Sequence, residues 1–529
     1  MTFFSPEFAL CFMIFFVIYW AFARFVLVQK YLILIASYAF ICVNSISFGL
    51  ILFFYTCFVF FAGRWLLSRA ISTENSSFEQ IELLKYEIKN LQNKANLEIK
   101  KNPKKKYKIE LEQKIQSLEE EISQIKSQAL EQNPNGSLLL SLVFLCILFL
   151  AFFKYFDEIS EFFNLFASFF GFSELGMMSI AFPLGISYYT FMSITYLVAL
   201  SKGRAKRHAD FVSLACFLAF FPSIVMGPIS RAVSEKGLRA LLPQFNRRKK
   251  FIGGDEIFVL FIFACVKFLL IAGLLGPYVN DVFSGVYSSD YSLLELISAI
   301  LLYSVVLYAN FSGFIDLVRA LALCLGFELA SNFNMPYAKK NIKEFWKAWH
   351  ITLTTFIMRY IYIPLGGSKH GILRTQINVL VAFALSGIWH GAGLNFLIWG
   401  ALHGLALVIF NLYKDFVGIK FNYFFGTILT YIFVSFAWVF FANDFETAIA
   451  IFSSFSRLEL YHNYSEFVII LFILLCVMFY YKSTGLFSWL VIVLQNTALL
   501  PKVLILGLIF TLIIAFMPSG IPSFIYASF

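Results

Sequence analysis

Long apolar runs recur along most of this 529-residue chain. Each run is about 16 to 25 residues long, enough to cross or nearly cross the ~30 Å hydrocarbon core of a bilayer as a helix. Only 14% of the residues are charged, whereas soluble proteins carry about 25%. Because lipid offers no hydrogen bonds, a spanning segment must satisfy its own backbone, which favours helices. The sequence therefore predicts an all-α, polytopic membrane protein of about 10–12 transmembrane helices plus re-entrant segments around a central funnel.

The formal charge of +10 does not indicate a nucleic-acid-binding protein. Lys and Arg cluster in short loops between apolar runs, as cytoplasmic loops do under the positive-inside rule. The eight Cys are scattered singly, which predicts packing residues and no metal site. Residues 8–22 are interpreted as a retained first span with the N-terminus outside, and not as a signal peptide. The other apolar stretches lie near 31–46, 48–66, 137–153, 177–200, 255–276, 293–325, 376–412, 421–442, 465–481, 484–499 and 502–518.

Three regions follow from the apolar and polar patterns: N-terminal transmembrane helices over 1–71, an insertion over 72–136 and a membrane core over 137–529. In the insertion, two seams of apolar residues at a and d positions flank a turn at Asn102–Lys106. This pattern predicts a cytoplasmic antiparallel helical hairpin. The hairpin is either a partner-binding element or an extension without a general role. The two seams consist of Ile81, Leu84, Ile88 and Leu91, and of Leu111, Ile115, Leu118, Ile122 and Ile125.

Residues 211–228 form a short apolar run between two basic loops. A single crossing would place one of these loops outside, whereas a re-entrant segment keeps both on the cytoplasmic side. We therefore expect a re-entrant segment that ends at Gly227–Arg231 and forms a wall of an internal cavity, where protein or water covers its backbone.

Six histidines are present, and three of them lie in polar loops where solvent exposure is expected: His208, His370 and His462. His390 and His403 lie in the apolar stretch SGIWHGAGLNFLIWGALHG (386–404), where small residues allow helices to approach closely. An ionisable side chain in such surroundings is a functional candidate. The alternative is a structural histidine that is hydrogen-bonded to a neighbouring helix.

A mixed aromatic and basic block precedes this stretch, from Asn332 to Gly367, and contains Trp346, Trp349 and His350. This composition is typical of the membrane interface and of contact with anionic head groups or phosphates.

These two blocks resemble the membrane-bound O-acyltransferase (MBOAT) family, in the bacterial branch that acetylates cell-envelope polysaccharides such as peptidoglycan and alginate. The resemblance covers roughly 180–445 and the blocks run in family order. Further matching blocks are PLGISYYTF (183–191), FFPSIVMGPISR (220–231), LLPQF (241–245), FSGFIDLVRALALCLGF (311–327) and FVSFAWVFF (433–441). The chain departs from the family pattern at Asn310, Met192 and Met358-Arg359, where the family often has Asp, Gln and Arg-Asp.

The resemblance implies that His390 is the catalytic histidine and His350 a second important one. It implies a neutral His390 that takes the proton of an alcohol, while His350 orients the acceptor or stabilises the tetrahedral intermediate. A transient acyl-enzyme stays open. The predicted supporting or binding residues are Trp389, Gly391, Trp346, Trp349, Ser386, Asn395, His403 and Arg231.

The resemblance also implies substrates and partners. The donor is acetyl-CoA or another acyl thioester on the cytoplasmic side, and no cofactor is bound. The acceptor is an envelope polysaccharide, with peptidoglycan ahead of alginate-like polymers and of teichoic acid that receives D-alanine. A periplasmic or extracytoplasmic acetyltransferase partner is expected to complete delivery. The expected location is the inner (cytoplasmic) membrane of a bacterium.

Two other function classes share the many spans. A transporter or flippase of lipid-linked sugars predicts many charged residues in mid-span positions and an internal repeat, and the sequence displays neither. A scaffold that uses the 72–136 hairpin is compatible with acyl transfer as an added role.

Overall fold

The structure is a computed structural model that describes residues 3–101, 114–122, 135–170, 180–205, 208–234, 240–251, 253–287, 291–418, 422–456, 459–460 and 485–518. Within these ranges every regular element is helical. This confirms the all-α class. The main helices are α1 (Pro6–Ala21), α2 (Val26–Cys42), α3 (Ile46–Lys101), α4 (Gly136–Lys154), α5 (Phe156–Phe169), α6 (Ile186–Ser201), α7 (Phe211–Ala219), α8 (Gly254–Ser284), α9 (Leu293–Cys324), α10 (Ile342–Ala348), α11 (Ile351–Ile357), α12 (Gly371–His390), α13 (Leu394–Phe416), α14 (Tyr423–Ala442), α15 (Phe445–Ser454), α16 (Leu486–Asn496) and α17 (Leu499–Phe516).

Eight helices in the described ranges are long and apolar enough to cross a membrane: the first part of α3 (Ile46–Arg69), α4, α8, α9, α12, α13, α14 and α17. Five shorter apolar helices of 10–17 residues accompany them. The protein is therefore a multi-pass membrane protein, as predicted. The span predicted near 465–481, together with His462, lies outside the described residues.

The predicted re-entrant segment is short and broken. It consists of α7, a kink at Phe220 and a further turn at Phe221–Ile224. The chain before the segment and the 240–251 loop after it meet at one buried cation, because the Lys30 Nζ of α2 lies 3.1 Å from the Asp210 carboxylate and 2.9 Å from Asn246 Oδ1. Asp210 also caps α7. This geometry agrees with a segment that enters and leaves the protein on the same side.

The 72–136 insertion begins inside a helix. Helix α3 runs without a break from its membrane span to Lys101, across the predicted boundary at residue 71. A second helical segment covers 114–122, and a small apolar cluster joins the two. Its members are Leu84, Ile88, Leu91, Ile115, Leu118 and Ile122, which all belong to the predicted seams. Leu111, Ile125 and the turn at 102–106 lie outside the described residues.

Helices α8 and α9 pack closely around a half-buried ion pair. The chain makes a π-helical turn at Val266–Ala272, which places Lys267 Nζ 2.7 Å from Asp316 Oδ2 of α9. Gly313 makes this approach possible, because a Cβ there would lie 3.0 Å from the Lys267 side chain. A charge at this depth is tolerated because its partner is adjacent.

The apolar run predicted over 376–412 is divided into α12 and α13 by a break at Gly391–Gly393. The aromatic block before it enters the protein interior, where Trp349 lies 5.0 Å from Trp438 of α14, between ring centroids. Helix α6 starts later than the apolar run at 177–200 suggests, because Gly185 adopts a left-handed conformation (φ 76) at its N-cap. These three elements surround the site described next.

Candidate active site

Helices α12 and α13 form a close antiparallel pair at glycines. A Cβ at Gly387 would overlap the backbone carbonyl of Phe396, and a Cβ at Gly400 would overlap that of Phe383. Small residues allow membrane helices to approach until their backbones touch. The break between the two helices therefore holds His390, the last residue of α12, in a fixed position.

The end of α12 is anchored by the end of α4. Lys154 Nζ donates a hydrogen bond to the carbonyl of His390 over 3.1 Å, and the Tyr155 hydroxyl donates to the carbonyl of Ile388. The last carbonyls of a helix have no intrahelical partners, and a cation suits their partial negative charge. Lys154 Nζ also lies 5.6 Å from the centroid of the Trp389 ring.

The His390 side chain is buried among aromatic rings, with an exposed fraction of 4%. Its ring stands nearly perpendicular to Trp399 of α13, 5.1 Å away, and to Phe441 of α14, 5.0 Å away. Three helices thus fix the imidazole, and the rings exclude water from most of its surface.

His350 lies between the short helices α10 and α11, with an exposed fraction of 2%. Its backbone is left-handed (φ 40, ψ 55), a conformation that costs a non-glycine residue about 1–2 kcal/mol. The amide of the next residue, Ile351, donates to the Asn332 carbonyl over 2.8 Å, and the His350 ring packs against Phe311 at 4.9 Å. Strained residues of this kind cluster at functional sites.

Both histidines line one cavity of about 300 Å³, which we call the catalytic cavity. Its walls are largely apolar, and Lys343 and Lys347 also line it. An apolar cavity with a few polar groups is typical of small-molecule sites. Predicted site residues that line this cavity are His350, His390, Trp346, Trp349 and Ser386.

His390 also lines a second, smaller cavity of about 70 Å³, the lysine cavity. Its polar lining groups include Lys154, Ser187 and Tyr188, and Trp389 closes one side. In the described parts of the chain, His390 is the residue common to both cavities. An imidazole at such a junction can exchange a proton with a molecule on either side.

The remaining predicted residues have structural positions. Asn395 donates two hydrogen bonds, of 3.1 and 3.0 Å, to the carbonyls of Phe440 and Asn443 at the end of α14. Gly391 lies against the Phe396 ring. Arg231 lines neither cavity, and burial and the nearby Arg359 lower the pKa of its guanidinium.

His403 is fully buried in an aromatic cage, 5.0 Å from Trp346 and 5.1 Å from Trp399 between ring centroids. Neither ring nitrogen has a hydrogen-bond partner among the described residues. It lines neither of the two cavities, so a supporting role in helix packing fits it best.

Sequence reasoning missed Lys154, Ser187 and Tyr188 as site residues. Lys154 ends an apolar run, where a lysine ordinarily extends towards the membrane surface. Ser187 and Tyr188 lie in the PLGISYYTF block, which was recognised without residue roles. The available signal was positional: Lys154 is a single cation that directly follows a long uncharged stretch.

The family is decided by a sequence model that matches residues 138–443: MBOAT, membrane-bound O-acyltransferase family. The chain belongs to this family. The match includes both histidines and all three helices that surround them.

Three curated MBOAT relatives illustrate the range of similarity. A probable alginate O-acetylase of Azotobacter vinelandii is 36% identical over 269 residues, which cover 50% of this chain and 51% of the relative. The peptidoglycan O-acetyltransferase of Helicobacter pylori is 33% identical over 335 residues, or 57% of this chain and 61% of the relative. The teichoic acid D-alanyltransferase of Bacillus subtilis is 26% identical over 242 residues, or 44% and 59%. The chain thus spans about half the length of the curated relatives it matches.

Proposed function

We propose that this protein is a membrane O-acetyltransferase that passes an acetyl group from a cytoplasmic thioester donor, across the membrane, to a cell-envelope polysaccharide. One observation carries the proposal: His390 lines both the catalytic cavity and the lysine cavity. A base that takes a proton from an acceptor in one cavity and returns it to a donor thiolate in the other must be reachable from both cavities.

The catalytic cavity suits the donor. Its volume of about 300 Å³ and apolar walls fit the thin, uncharged end of an acyl thioester. Lys343 and Lys347 line the same cavity, and their charges attract an anionic donor such as acetyl-CoA. By the positive-inside rule these lysines lie on the cytoplasmic side.

The lysine cavity suits the acceptor. Lys154, Ser187 and Tyr188 offer hydrogen-bond donors to a hydroxylated molecule, or to the acyl-carrying residue of a partner protein. Its volume of about 70 Å³ admits a hydroxyl and its neighbouring atoms but not a sugar chain. This small size favours delivery through an extracytoplasmic partner over direct entry of a polysaccharide.

The reaction needs a base and a charge stabiliser. Neutral His390 accepts the proton of the attacking hydroxyl while the oxygen forms a bond to the thioester carbonyl carbon. The carbon–sulfur bond then breaks, and the imidazolium returns the proton to the departing thiolate. His350, in the same cavity, stabilises the oxygen that carries negative charge in the tetrahedral intermediate.

We propose peptidoglycan as the first choice among the acceptor polymers. The protein itself is proposed to lie in the inner membrane of a bacterium. The Helicobacter pylori peptidoglycan O-acetyltransferase is similar over 57% of this chain, and alginate O-acetylases are similar to a comparable degree. The order of the two acceptors therefore rests on composition. The bias towards Phe, Ile, Lys and Asn suggests an AT-rich genome, which argues against a typical alginate producer. Alginate-like polymers and D-alanyl transfer to teichoic acid are the alternatives.

The test uses membranes that contain the full chain and a radiolabelled acetyl thioester. Ester-linked acetate on peptidoglycan is measured after mild alkaline release. We expect His390→Ala to lower transfer by roughly 10²–10⁴-fold, the usual contribution of a general base, with unchanged amounts of folded protein on size exclusion. The exposed His370→Ala is the matched control and should retain wild-type transfer.

Wild-type acetate on the polymer in the His390→Ala variant would refute the proposal. Label on a different polymer, or transfer of D-alanine, would refute peptidoglycan as the acceptor. The proposal that the protein is an acyltransferase would then still hold. Flux of lipid-linked sugars through proteoliposomes, without acyl turnover, would establish the flippase instead.

A further inference from the structure

A third cavity lies between the loop 240–251 and the C-terminal end of α9. Its volume of about 580 Å³ is in the range of small-molecule sites. Within the described ranges it has no lining residue in common with the catalytic or lysine cavity. We call it the basic cavity, because five cations line it: Arg247, Arg248, Lys249, Lys250 and Arg319.

The positive charge of the basic cavity is in excess. Two carboxylates, Glu256 and Glu328, also line it. Arg319 lies 4.0 Å from Glu256 and 3.8 Å from Asp316, and its buried Nε has no hydrogen-bond partner among the described residues. Three further cations are exposed to the cavity and form no ion pair in the part of the chain that the structure describes: Arg247, Arg248 and Lys250.

The walls of the basic cavity are held together by specific contacts. The Gln244 side chain donates to the carbonyls of Ala240 and Glu328, each over 3.0 Å, and accepts from the Glu328 amide over 2.9 Å. Gly326 is left-handed (φ 75), and a Cβ there would lie 3.1 Å from the Lys249 side chain. The loop and the helix end therefore form a fixed cradle.

Lys249 has an exposed fraction of 8%. Its Nζ lies 3.8 Å from the centroid of the Phe327 ring and donates to the Gln244 carbonyl. Burial and the charge of Arg247 lower the pKa of Lys249 to about 7. A bound anion would compensate for both effects. The other charged groups around the cavity are Arg248, Lys250, Arg319, Glu256 and Glu328.

The cavity lies beside an aromatic cluster of the kind found at membrane interfaces. Phe251, at the end of the loop, is exposed and contacts Trp20 at 5.9 Å and Phe16 at 6.0 Å between ring centroids. Tryptophan at such a position marks the level of the lipid head groups. Phosphate is the anionic group of lipid head groups at this level. Soluble phosphate esters carry the same group.

We propose that the basic cavity binds a ligand with two phosphate groups, at a site separate from the catalytic histidines. Among the described residues, five cations against two carboxylates leave an excess that matches two to three negative charges. Paired arginines suit phosphate, because each guanidinium presents a planar set of donors. Two sources share this chemistry: a soluble diphosphate ester and the two-phosphate head group of cardiolipin. The site does not depend on the proposed acyl transfer.

Binding to the purified full chain tests the proposal. The first arm titrates inorganic diphosphate into protein in neutral detergent by calorimetry. The second arm uses phosphatidylcholine nanodiscs with or without cardiolipin, and measures protein-bound cardiolipin by mass spectrometry. We expect Arg247→Gln/Arg248→Gln to weaken binding by roughly tenfold or more, because two charge-assisted contacts are lost. The control Lys339→Gln/Lys340→Gln removes the same charge elsewhere and should change binding by less than about twofold.

Diphosphate binding that only the arginine variant loses supports the site with a soluble ligand. Cardiolipin binding that only this variant loses supports it with a lipid. Binding of neither probe, or equal losses in the two double variants, would overturn the proposal. The substituted arginines are exposed, so both variants should fold like the wild type.

Discussion

Gly400→Ala tests whether the contact between α12 and α13 positions His390, the proposed catalytic histidine. An alanine Cβ at this site would lie 3.2 Å from the carbonyl carbon of Phe383 and 3.3 Å from the Cα of Gly387. It would lie closer still to the Phe383 oxygen. Because carbon atoms prefer separations of about 3.5–4.0 Å, the two helices must move apart by roughly 1 Å.

Moving α12 and α13 apart would displace both His390 and the Trp399 ring that packs against it. His390 follows Gly387 by less than one helical turn, and Trp399, whose ring lies 5.1 Å from His390, precedes Gly400. Overpacking of this kind costs about 1–3 kcal/mol of stability. A displacement of about 1 Å at a reacting group lowers the rate by roughly 10²-fold.

The assay measures acetyl transfer at saturating donor, together with thermal unfolding in detergent. We expect a lower kcat with little change in KM, because most residues that line the catalytic cavity, where the donor is proposed to bind, stay in place. Gly507→Ala in α17 is the matched control, since a Cβ there has no neighbour within 4 Å, and it should be neutral in both assays. A Gly400→Ala variant with wild-type rate and stability would refute the reasoning that this contact fixes His390.

Three further predictions concern other buried groups. His403→Phe should retain acetyl transfer and change stability by less than about 1 kcal/mol, because an apolar ring replaces nitrogens that lack partners; loss of transfer would give His403 a chemical role. Asp316→Asn should lower the free energy of unfolding by about 1–3 kcal/mol by leaving the half-buried Lys267 without its carboxylate, whereas Lys267→Met/Asp316→Leu should lie near the wild type in thermal unfolding. Sulfate binding to the basic cavity should weaken about fivefold, or about 1 kcal/mol, between pH 6 and 8.5 as Lys249 loses its proton. Lys249→Met should abolish this dependence, and an unchanged pH profile in that variant would contradict the assignment.

Hydrophobicity and charge sufficed to predict the class and most helix positions. The predicted spans near 137–153, 293–325 and 421–442 agree with α4, α9 and α14 within a few residues. These predictions succeed because a helix that spans lipid must be one long, continuous apolar run. The sequence also located His390 and His350, which the structure brings to one cavity.

The remaining features depend on contacts between distant segments. The contact of Lys30 with the loop at Asn246 and the anchoring of α12 by Lys154 join residues more than 100 positions apart. The distinction between His390 and His403 has the same origin. Both have similar sequence surroundings, and only packing places one at two cavities and the other in an aromatic cage.

The uninterrupted course of α3 has a mechanical consequence. Its 56 residues span about 84 Å as one helix, of which roughly 48 Å extends beyond Arg69. Tyr55, in the membrane part, packs against Tyr189 of α6 at 5.0 Å between ring centroids, and α6 begins at the wall of the lysine cavity. A force applied at Lys101 would therefore be transmitted along one continuous helix to its contact with α6, beside the lysine cavity.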